Sequence, residues 1–530
     1  MTPQEILELS EEVEAIYTDV QTQLIVNICK RLGEGKELPG WQAKKLAELN
    51  ALTQESIEII ARATGRRDEE IEKAIAKALK DELKEVEPIL SGAVAAGAIA
   101  DIVFSPSESE GLKQLLQALA DQAKERTNLV NTVMLNSTRN RYIWAINNTE
   151  QEKARIEAKW IEKNLNAQNL DELDKQLSKV QKALNKATGM VESGAEAREQ
   201  ALSRTVKELS QEGITGFIDR GGHHWSPEAY INMDIRTTVH NAALQATWTR
   251  MEEYGVSVYQ VSSHAGARPL CAPWQGRMLS KDGSYGVVHD LYGNEYEYVS
   301  EQESTIGEPA GLFGVNCGHN AIPFVDGYSV PRYEPLEGKE AEERNAEEYR
   351  ESQKQRYYER EVRQAKLEAI AQDAAGNKAA FAQASLKVKK ANENYKEFCK
   401  ETGRTPRPDR LQVLTSAEGT GYNRSISGKA NQAKRFIDKI TGTVTADGIT
   451  VNATIHLYER ARERGVTIGQ IKNALVEPLS VGSVKVDSKN RTSKEYVGEK
   501  ATVYVNPTNG NATSCHKTHR NKAKKLKGGS

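Results

Sequence analysis

The sequence predicts a mainly α-helical protein that also contains α+β modules. Charged residues make up 28% of the 530 residues and aromatic residues only 6%, which is typical of chains with much solvated helical surface. Hydrophobic residues recur at helical spacing through most of the first 212 positions, whereas glycine, proline and tyrosine become frequent after Gly213. A chain of this length is expected to fold into about three or four domains.

Residues 1–212 are predicted to form a long helical region. The first helix should begin at Thr2-Pro3-Gln4-Glu5, which offers a capping threonine, a proline at the first helical position and a capping-box glutamate. One apolar stripe follows, formed by Ile6, Leu9, Val13, Ile16, Val20 and Leu24. After a break at Gly33–Gly40, further helices are expected over Gln42–Ala63, Asp68–Glu85, Gly111–Thr127 and Glu150–Ala187. The stretch Glu150–Leu209 is charged on most faces, which predicts that it projects or bridges neighbours.

The middle of the chain divides into three segments by composition. Residues 213–330 predict a small loop-rich α+β domain, with one helix over Pro227–Tyr254 and short strands and turns over Gly255–Gly327. Residues 331–412 are rich in charge and predict a helical stalk. Residues 413–451 are interpreted as a linker and lead-in, because glycine and serine are frequent over Gly419–Gly428.

Residues 452–530 predict a compact α+β domain. Helices are expected over Asn452–Arg464 and Thr467–Val476, and strands over Val481–Val486, Glu495–Gly498 and Ala501–Asn506. Pro507-Thr508-Asn509-Gly510 is a typical hairpin turn.

The net charge of −2 conceals a strong asymmetry. From Lys429 to Ser530 there are 19 lysine and arginine residues against 8 aspartate and glutamate residues, a balance of +11, which leaves −13 for the rest of the chain. A basic terminal domain favours polyanionic partners such as nucleic acid, although the charge could also serve solubility alone.

Several classes of protein are disfavoured by what the sequence lacks. No apolar run is long enough to span a bilayer, and the N-terminus has no secretory pattern. The five cysteines are too few and too scattered for a disulfide framework, which predicts a reducing compartment.

The loop-rich domain contains two pairs of residues that suit a metal ion. His264 and Cys271 form the first pair, and Cys317 and His319 form the second. Two nitrogens and two sulfurs suit tetrahedral Zn²⁺ in a structural role, although the spacing is not that of a standard zinc finger. Two alternatives stay open: buried thiols with hydrogen-bonded histidines, or a cysteine nucleophile with a histidine base.

The same residues carry a family resemblance. The segment Ser-Ser-His-Ala-Gly-Ala-Arg-Pro-Leu-Cys-Ala-Pro-Trp-Gln-Gly at 262–276, followed by Asn-Cys-Gly-His at 316–319, resembles the phage minor capsid protein 2 family, which is related to the Mu gpF-like (MuF) minor head proteins. The resemblance covers roughly residues 1–412. It implies a virion protein inside a tailed-phage head near the portal, assembled in the host cytoplasm, with portal and capsid proteins as partners and a role in head morphogenesis or genome delivery. Residues 1–212 would be the portal- and capsid-associating region, and 213–330 the MuF-like domain.

The basic C-terminal domain offers groups that can cleave RNA without a metal. A base removes the 2′-OH proton, an acid protonates the leaving 5′-oxygen, and cations stabilise the charged phosphoryl group. His456 shares a helix face with Arg460 and Arg464, and the chain closes with Ser514, His516, Thr518, His519 and Arg520. A deoxyribonuclease would need a carboxylate cluster for Mg²⁺, and acids are few here. The plainer alternative is a small basic packing domain with His456 on its surface.

The order of residues from His456 to Pro507 resembles the barnase–EndoU–colicin–RelE (BECR) nuclease domains that occur behind phage head proteins. The resemblance implies an acid or base at His456, phosphate-stabilising Lys485 and Arg491, and supporting donors at Ser493, Tyr496 and Thr518, with no cofactor for catalysis. Ser514–His519 departs from the expected threonine-bearing last strand. Nucleic-acid contacts are expected from Arg460, Arg464, Lys517, Arg520, Lys522, Lys524 and Lys525. Alternatively, the domain only binds packaged DNA through its phosphates.

Overall fold

The computed structural model describes residues 2–100, 110–165, 197–214, 217–218, 224–414, 417–486 and 492–527. These residues form a helical body, a central five-stranded sheet, a helical hairpin and a C-terminal six-stranded sheet with its own helices. The predicted fold class, mainly α with α+β modules, is confirmed. Within the described ranges, no helix is both long enough and apolar enough to cross a membrane.

In the part of the chain that the structure describes, the helical body consists of six helices that pack around one core. They are α1 (Pro3–Gly33), α2 (Trp41–Ala47), α3 (Leu49–Ala95), α4 (Glu110–Leu165), α5 (197–212) and α6 (Pro227–Glu253). A short β1 (Phe217–Ile218) and β2 (His224–Trp225) pair precedes α6. The predicted capping box is present: the Thr2 hydroxyl accepts from the Glu5 amide, and the Glu5 carboxylate accepts from the Thr2 amide. Most of the predicted apolar stripe of α1 is buried in this core.

The prediction of two separate helices over Gln42–Ala63 and Asp68–Glu85 is wrong, because most of both ranges belongs to the single helix α3. α3 runs through Gly65 and Pro88 because its apolar positions stay on one buried face, formed by Leu52, Ile60, Ile71, Ile75, Ala78 and Val86. Tertiary packing outweighs the low helix propensity of glycine and proline here. The helix predicted over Glu150–Ala187 is seen as far as Leu165, and the remainder lies outside the described residues.

The central sheet has the strand order β5-β6-β4-β3-β7. Its strands are β3 (Val258–Val261), β4 (Met278–Ser280), β5 (Gly286–His289), β6 (Glu295–Ser300) and β7 (Ala321–Pro323). β3 is antiparallel to β4 and β7, and β4 is parallel to β6. The C-terminal half of α6 packs on this sheet through Leu244, Trp248 and Met251, whereas Ile231 and Ile235 in its N-terminal half belong to the helical body.

The predicted stalk over 331–412 is a packed hairpin of α7 (Lys339–Ala374) and α8 (Lys378–Thr402). Leu367, Ala371 and Ala375 join the core of the helical body. Most charged residues lie on the remaining surface of the hairpin, and only a few, such as Glu359 and Lys366, are buried, so a high charge content did not mean that the segment projects.

The predicted linker over 413–451 contains a helix, which corrects that interpretation. α9 (Ala417–Ile440) buries Ile426, Ala430, Ala433 and Ile440, which recur at helical spacing. This stripe outweighs the glycine and serine content, because its burial against α8 and the C-terminal core stabilises the helix. The packed C-terminal module therefore includes α9.

The rest of the C-terminal module is a mixed sheet with the order β10-β11-β12-β13-β8, and β9 also pairs with β11. Its elements are β8 (Asn452–Ala453), α10 (Ile455–Glu463), α11 (Ile468–Val476), β9 (Ser480–Val481), β10 (Lys485–Val486), β11 (Thr492–Val497), β12 (Ala501–Val505), β13 (Asn511–Lys517) and α12 (Arg520–Lys527). The predicted turn over 507–510 joins β12 to β13. Tyr496, Val503 and Cys515 face the helices α9, α10 and α11 across a buried core.

Candidate functional site

The structure brings the predicted Cys/His residues of the central module together. Cys271 directly precedes a short 3-10 turn, and Cys317 and His319 lie in the loop before β7. The ligand atoms of these three buried residues lie within 4.8 Å of one another. Cys317 Sγ is 3.4 Å from His319 Nδ1. The ring of His264 stacks beside that of His319, with 4.3 Å between the centroids.

Both sulfurs receive hydrogen bonds that favour negative charge. The Phe313 amide donates to Cys317 Sγ at 3.3 Å, and Arg268 Nη2 donates to Cys271 Sγ at 3.8 Å. The hydrogen bond from the Cys271 thiol lowers the pKa of Cys317 and raises that of Cys271, so a thiolate is favoured at Cys317. Phe313 (φ 57°) and Asn316 (φ 54°) are the only non-glycine residues with positive φ in the described chain, so backbone strain concentrates in this loop.

The imidazoles around the sulfurs are held in defined orientations. His319 Nε2 lies 3.2 Å from Oε1 of the buried Gln275, and a single proton on Nε2 would leave the Nδ1 lone pair facing Cys317. His264 Nε2 is buried and has no hydrogen-bond partner among the described residues. His240, which sequence reasoning missed, places Nε2 2.7 Å from the His319 carbonyl. Burial lowers the pKa of both His240 and His264, which favours their neutral forms.

In the C-terminal module, three of the predicted catalytic residues are hydrogen-bonded or paired with other residues of the fold. His456 is 69% exposed and lies 3.4 Å from a Glu459 oxygen, and this contact raises its pKa. The buried Tyr496 donates from the helix-facing side of the sheet to Asp447 at 2.8 Å. Thr518 is buried and donates to the Gly498 carbonyl at 2.8 Å. Arg491 lies outside the described residues.

The other face of the sheet gathers polar residues. Lys485 pairs with Ser493, and Glu495 lies two residues further along the same strand. Glu495 pairs with Tyr504 on β12, and His516 on β13 is the partner of Thr502, so all these side chains share one face. β10 lies at one edge of the sheet, whereas β8, which leads into α10, lies at the other. The structure therefore separates His456 from Lys485 and Ser493.

Three residues on this face form a hydrogen-bonded chain, here called the Glu–Tyr–His group. The Tyr504 hydroxyl lies 3.2 Å from Glu495 Oε1 and 3.3 Å from His516 Nε2. His516 Nδ1 is 3.0 Å from the Lys517 carbonyl. An imidazolium at His516 would donate through both nitrogens, and the Tyr504 hydroxyl would then donate to Glu495.

Cations surround the Glu–Tyr–His group. Lys522 Nζ lies 3.1 Å from Glu495 Oε1, and Arg464 Nη1 donates to the Cys515 carbonyl at 2.8 Å. Burial alone would raise the pKa of Glu495, but hydrogen bonds from Lys522 and Tyr504 and the nearby Lys485 lower it overall. Burial raises the pKa of Tyr504, and Glu495 adds to this. Glu495 is therefore a carboxylate beside neutral Tyr504 at neutral pH.

The remaining predicted nucleic-acid contacts lie on exposed surface. Arg460 is paired with Glu463 at 3.0 Å, and Lys517 is exposed at the end of β13. Arg520, Lys524 and Lys525 are exposed on α12, the helix that also carries Lys522. Sequence reasoning did not select Glu495 and Tyr504, and it noted His516 without assigning it. The available signal was the alternation of polar and apolar residues on either side of the 507–510 turn.

Comparison with known proteins identifies the larger part of the chain. The family described as phage minor capsid protein 2 matches residues 1–155 and 153–400. The chain belongs to this family. The match ends before α9, so it includes the Cys/His cluster but not the Glu–Tyr–His group.

Two phage proteins are similar to this chain. A structural protein of Lactococcus phage LL-H is 27% identical over 349 residues, which cover 65% of this chain and 80% of that protein. A structural protein of Lactococcus phage mv4 is 35% identical over 105 residues, which cover 20% of this chain and 82% of that protein. No solved structure matches significantly. The present chain is therefore a structural protein of a phage virion, as the motif at residues 262–276 and 316–319 predicted.

Proposed function

We propose that this virion protein acts inside the phage head near the portal, and that its C-terminal module cleaves RNA without a metal ion. Membership of the minor capsid family supports the first part. In the proposal, the helical body and the central sheet bind portal and capsid subunits, and the protein contributes to head assembly or genome delivery. The observation that carries the second part is the Glu–Tyr–His group with cations beside it.

The group can supply both proton transfers of RNA cleavage. Glu495 accepts the proton of the 2′-hydroxyl, and the resulting oxygen attacks phosphorus as the bond to the 5′-oxygen breaks. Protonated His516 gives its proton to that 5′-oxygen. The products are a 2′,3′-cyclic phosphate and a free 5′-hydroxyl. Lys485, Lys522 and Arg464 stabilise the charge on the phosphoryl oxygens.

This assignment moves the proposed centre away from His456. A base and an acid must both reach one phosphodiester, and Glu495 and His516 are linked through a single tyrosine hydroxyl. His456 instead lies exposed on α10 and pairs with Glu459. Lys485 and Ser493 of the original prediction remain beside the new centre, on the same face as Glu495. The role predicted for His456 can be tested in the same experiment.

The test compares variants of the full-length protein on labelled single-stranded RNA and on DNA of the same sequence, in EDTA. We expect RNA cleavage that leaves a cyclic phosphate, and no DNA cleavage. Glu495→Gln and His516→Ala should each slow cleavage about 100-fold or more. His456→Ala should change the rate less than about threefold, and it is the matched control because it removes an exposed histidine of the same module.

Other outcomes would contradict parts of the proposal. Loss of cleavage in His456→Ala with retention in His516→Ala would support the original catalytic set. Binding of RNA and DNA without cleavage, weakening steeply with salt, would support a module that only binds packaged DNA.

The location in the head is tested on purified particles. We expect a copy number close to that of the portal protein and far below that of the major capsid protein, measured by quantitative mass spectrometry. Protease added to intact particles should spare the protein, and protease added to opened particles should digest it. Digestion in intact particles would place the protein outside the head and contradict the proposal.

A further inference from the structure

We propose that Cys271, Cys317, His319 and His264 bind one structural Zn²⁺, which joins the loop after β3 to the loop before β7. The site belongs to the central module, so it does not depend on the nucleic-acid chemistry of the C-terminal module. Its expected ligand is a divalent cation that prefers thiolate and imidazole, with zinc the best match.

The distances are close to those of a zinc centre. In a tetrahedral site with bonds of about 2.3 Å to sulfur and 2.0 Å to nitrogen, neighbouring ligand atoms stand about 3.3–3.8 Å apart. The ligand atoms of Cys271, Cys317 and His319 all lie within 4.8 Å of one another, and one of these separations is 3.4 Å. Small side-chain shifts would bring these three into place.

The surroundings favour metal ligation over simple packing. Gln275 Oε1 is placed to accept a hydrogen bond from Nε2–H of His319, and that tautomer leaves the Nδ1 lone pair facing Cys317, an arrangement typical of metal-bound histidine. The Phe313 amide and Arg268 donate to the two sulfurs, which offsets the charge of thiolates. Gln275 also accepts from the His264 amide at 2.7 Å, so one buried side chain organises both histidines.

His264 is the best fourth ligand. Its Nε2 is buried without a hydrogen-bond partner among the described residues, and a buried polar atom without a partner is costly unless something binds it. Its ring lies directly against that of His319. His240 Nδ1 is also buried without such a partner, and Nε2 of His240 lies 2.7 Å from the His319 carbonyl, so His240 is the alternative fourth ligand that the variants below distinguish.

The alternative of a cysteine nucleophile has less support. A cleft next to the cluster is lined by Ser263, His264 and Gln275, but by neither cysteine. Cys317 and Cys271 are only 4% and 1% exposed. A substrate in this cleft would not reach the sulfurs, whereas a structural ion needs no such access.

The test uses the full-length protein produced with zinc in the medium. We expect about one zinc per chain by elemental analysis. After zinc removal, added Co²⁺ should give the visible absorption of a tetrahedral thiolate site. Cys317→Ser should abolish the Co²⁺ signal, and Cys399→Ser is the matched control because Cys399 is buried outside the cluster. His264→Ala should weaken Zn²⁺ affinity about 100-fold or more while the thiolate absorption remains.

Because Cys317→Ser could fail to fold, the unmodified chain is tested as well. Native thiol labelling should leave Cys271 and Cys317 protected with zinc and expose them after chelation. Folded protein that contains no zinc as purified, or that carries a Cys271–Cys317 disulfide by mass, would overturn the site. Unchanged affinity in His264→Ala would overturn the choice of fourth ligand, and a loss in His240→Ala would then assign His240.

Discussion

Gly276 provides a sharp test of how the central module is packed. Its φ is +74°, and a Cβ at this position would lie 2.3 Å from the Glu334 carbonyl oxygen. The Gly276 amide donates to the Val261 carbonyl at 3.0 Å, and its carbonyl accepts from Gln260 Nε2 at 3.0 Å. The chain near Glu334 therefore crosses directly over this residue, next to the Gln275 that orients His319.

Gly276→Ala should destabilise the module through two separate terms. The left-handed backbone costs about 1–2 kcal/mol for an alanine. Relieving the contact requires the backbone at Glu334 to move by roughly 1 Å, and overpacking of this kind costs about 1–3 kcal/mol. Gly293→Ala is the matched control, because Gly293 has a φ of +84° but nothing within 4 Å of its Cβ position. Gly293→Ala should therefore show only the cost of placing an alanine in a left-handed backbone conformation.

Hydrogen exchange with mass spectrometry measures the difference locally, in peptides that span β3 and β4. Gly276→Ala should lower the opening free energy of these strands by at least about 1 kcal/mol more than Gly293→Ala does, which is roughly a fivefold faster exchange. Equal effects of the two substitutions would show that the close approach of the chain near Glu334 does not exist in solution.

Three further predictions concern charged residues. Burial would raise the pKa of Asp447, but hydrogen bonds from Lys494, Thr445 and Tyr496 lower this pKa to about 2. The ionised Asp447 therefore stabilises the fold fully above the unfolded-state pKa of 3.8, and this stabilisation is lost as the pH falls towards 2. Acid unfolding of Asp447→Asn should lack this dependence. Arg250→Met should lower the free energy of unfolding by about 2 kcal/mol, because the Glu87 carboxylate, which Arg250 holds at 3.0 Å, would keep only the Tyr254 hydroxyl as a partner. Adding Glu87→Gln should restore part of the loss in urea titrations. Lys524→Ala should lower the slope of log affinity for DNA against log salt by about 1, and an unchanged slope would exclude a phosphate contact.

Local signals in the sequence predicted local structure well. The cap at Thr2 and the turn at Pro507–Gly510 each depend on a few adjacent residues, and both are present. The residues of the Cys271 and Cys317 motif also lie together, because the end of β3 pairs with the start of β7 and so brings the two loops side by side.

Features that depend on distant contacts could not be predicted in the same way. α9 is helical because its stripe at Ile426 and Ala433 meets a partner surface, which the glycine-rich composition conceals. Glu495, Tyr504 and His516 come from three strands, and only the register of the sheet shows that they meet. His456 attracted attention because its chemistry is visible within one helix, whereas the polar face of the sheet is visible only after folding.

Helix α6 links the helical body rigidly to the central sheet. It is about 40 Å long at 1.5 Å per residue, and its two halves are embedded in different cores. Midway along it, His240 bonds the carbonyl of His319. The two regions on either side of residue 213 therefore share a helix, and a fragment that begins at residue 213 would expose Ile231 and Ile235 in the N-terminal half of α6. A displacement of α6 with the helical body would therefore also strain the bond between His240 and the loop of His319.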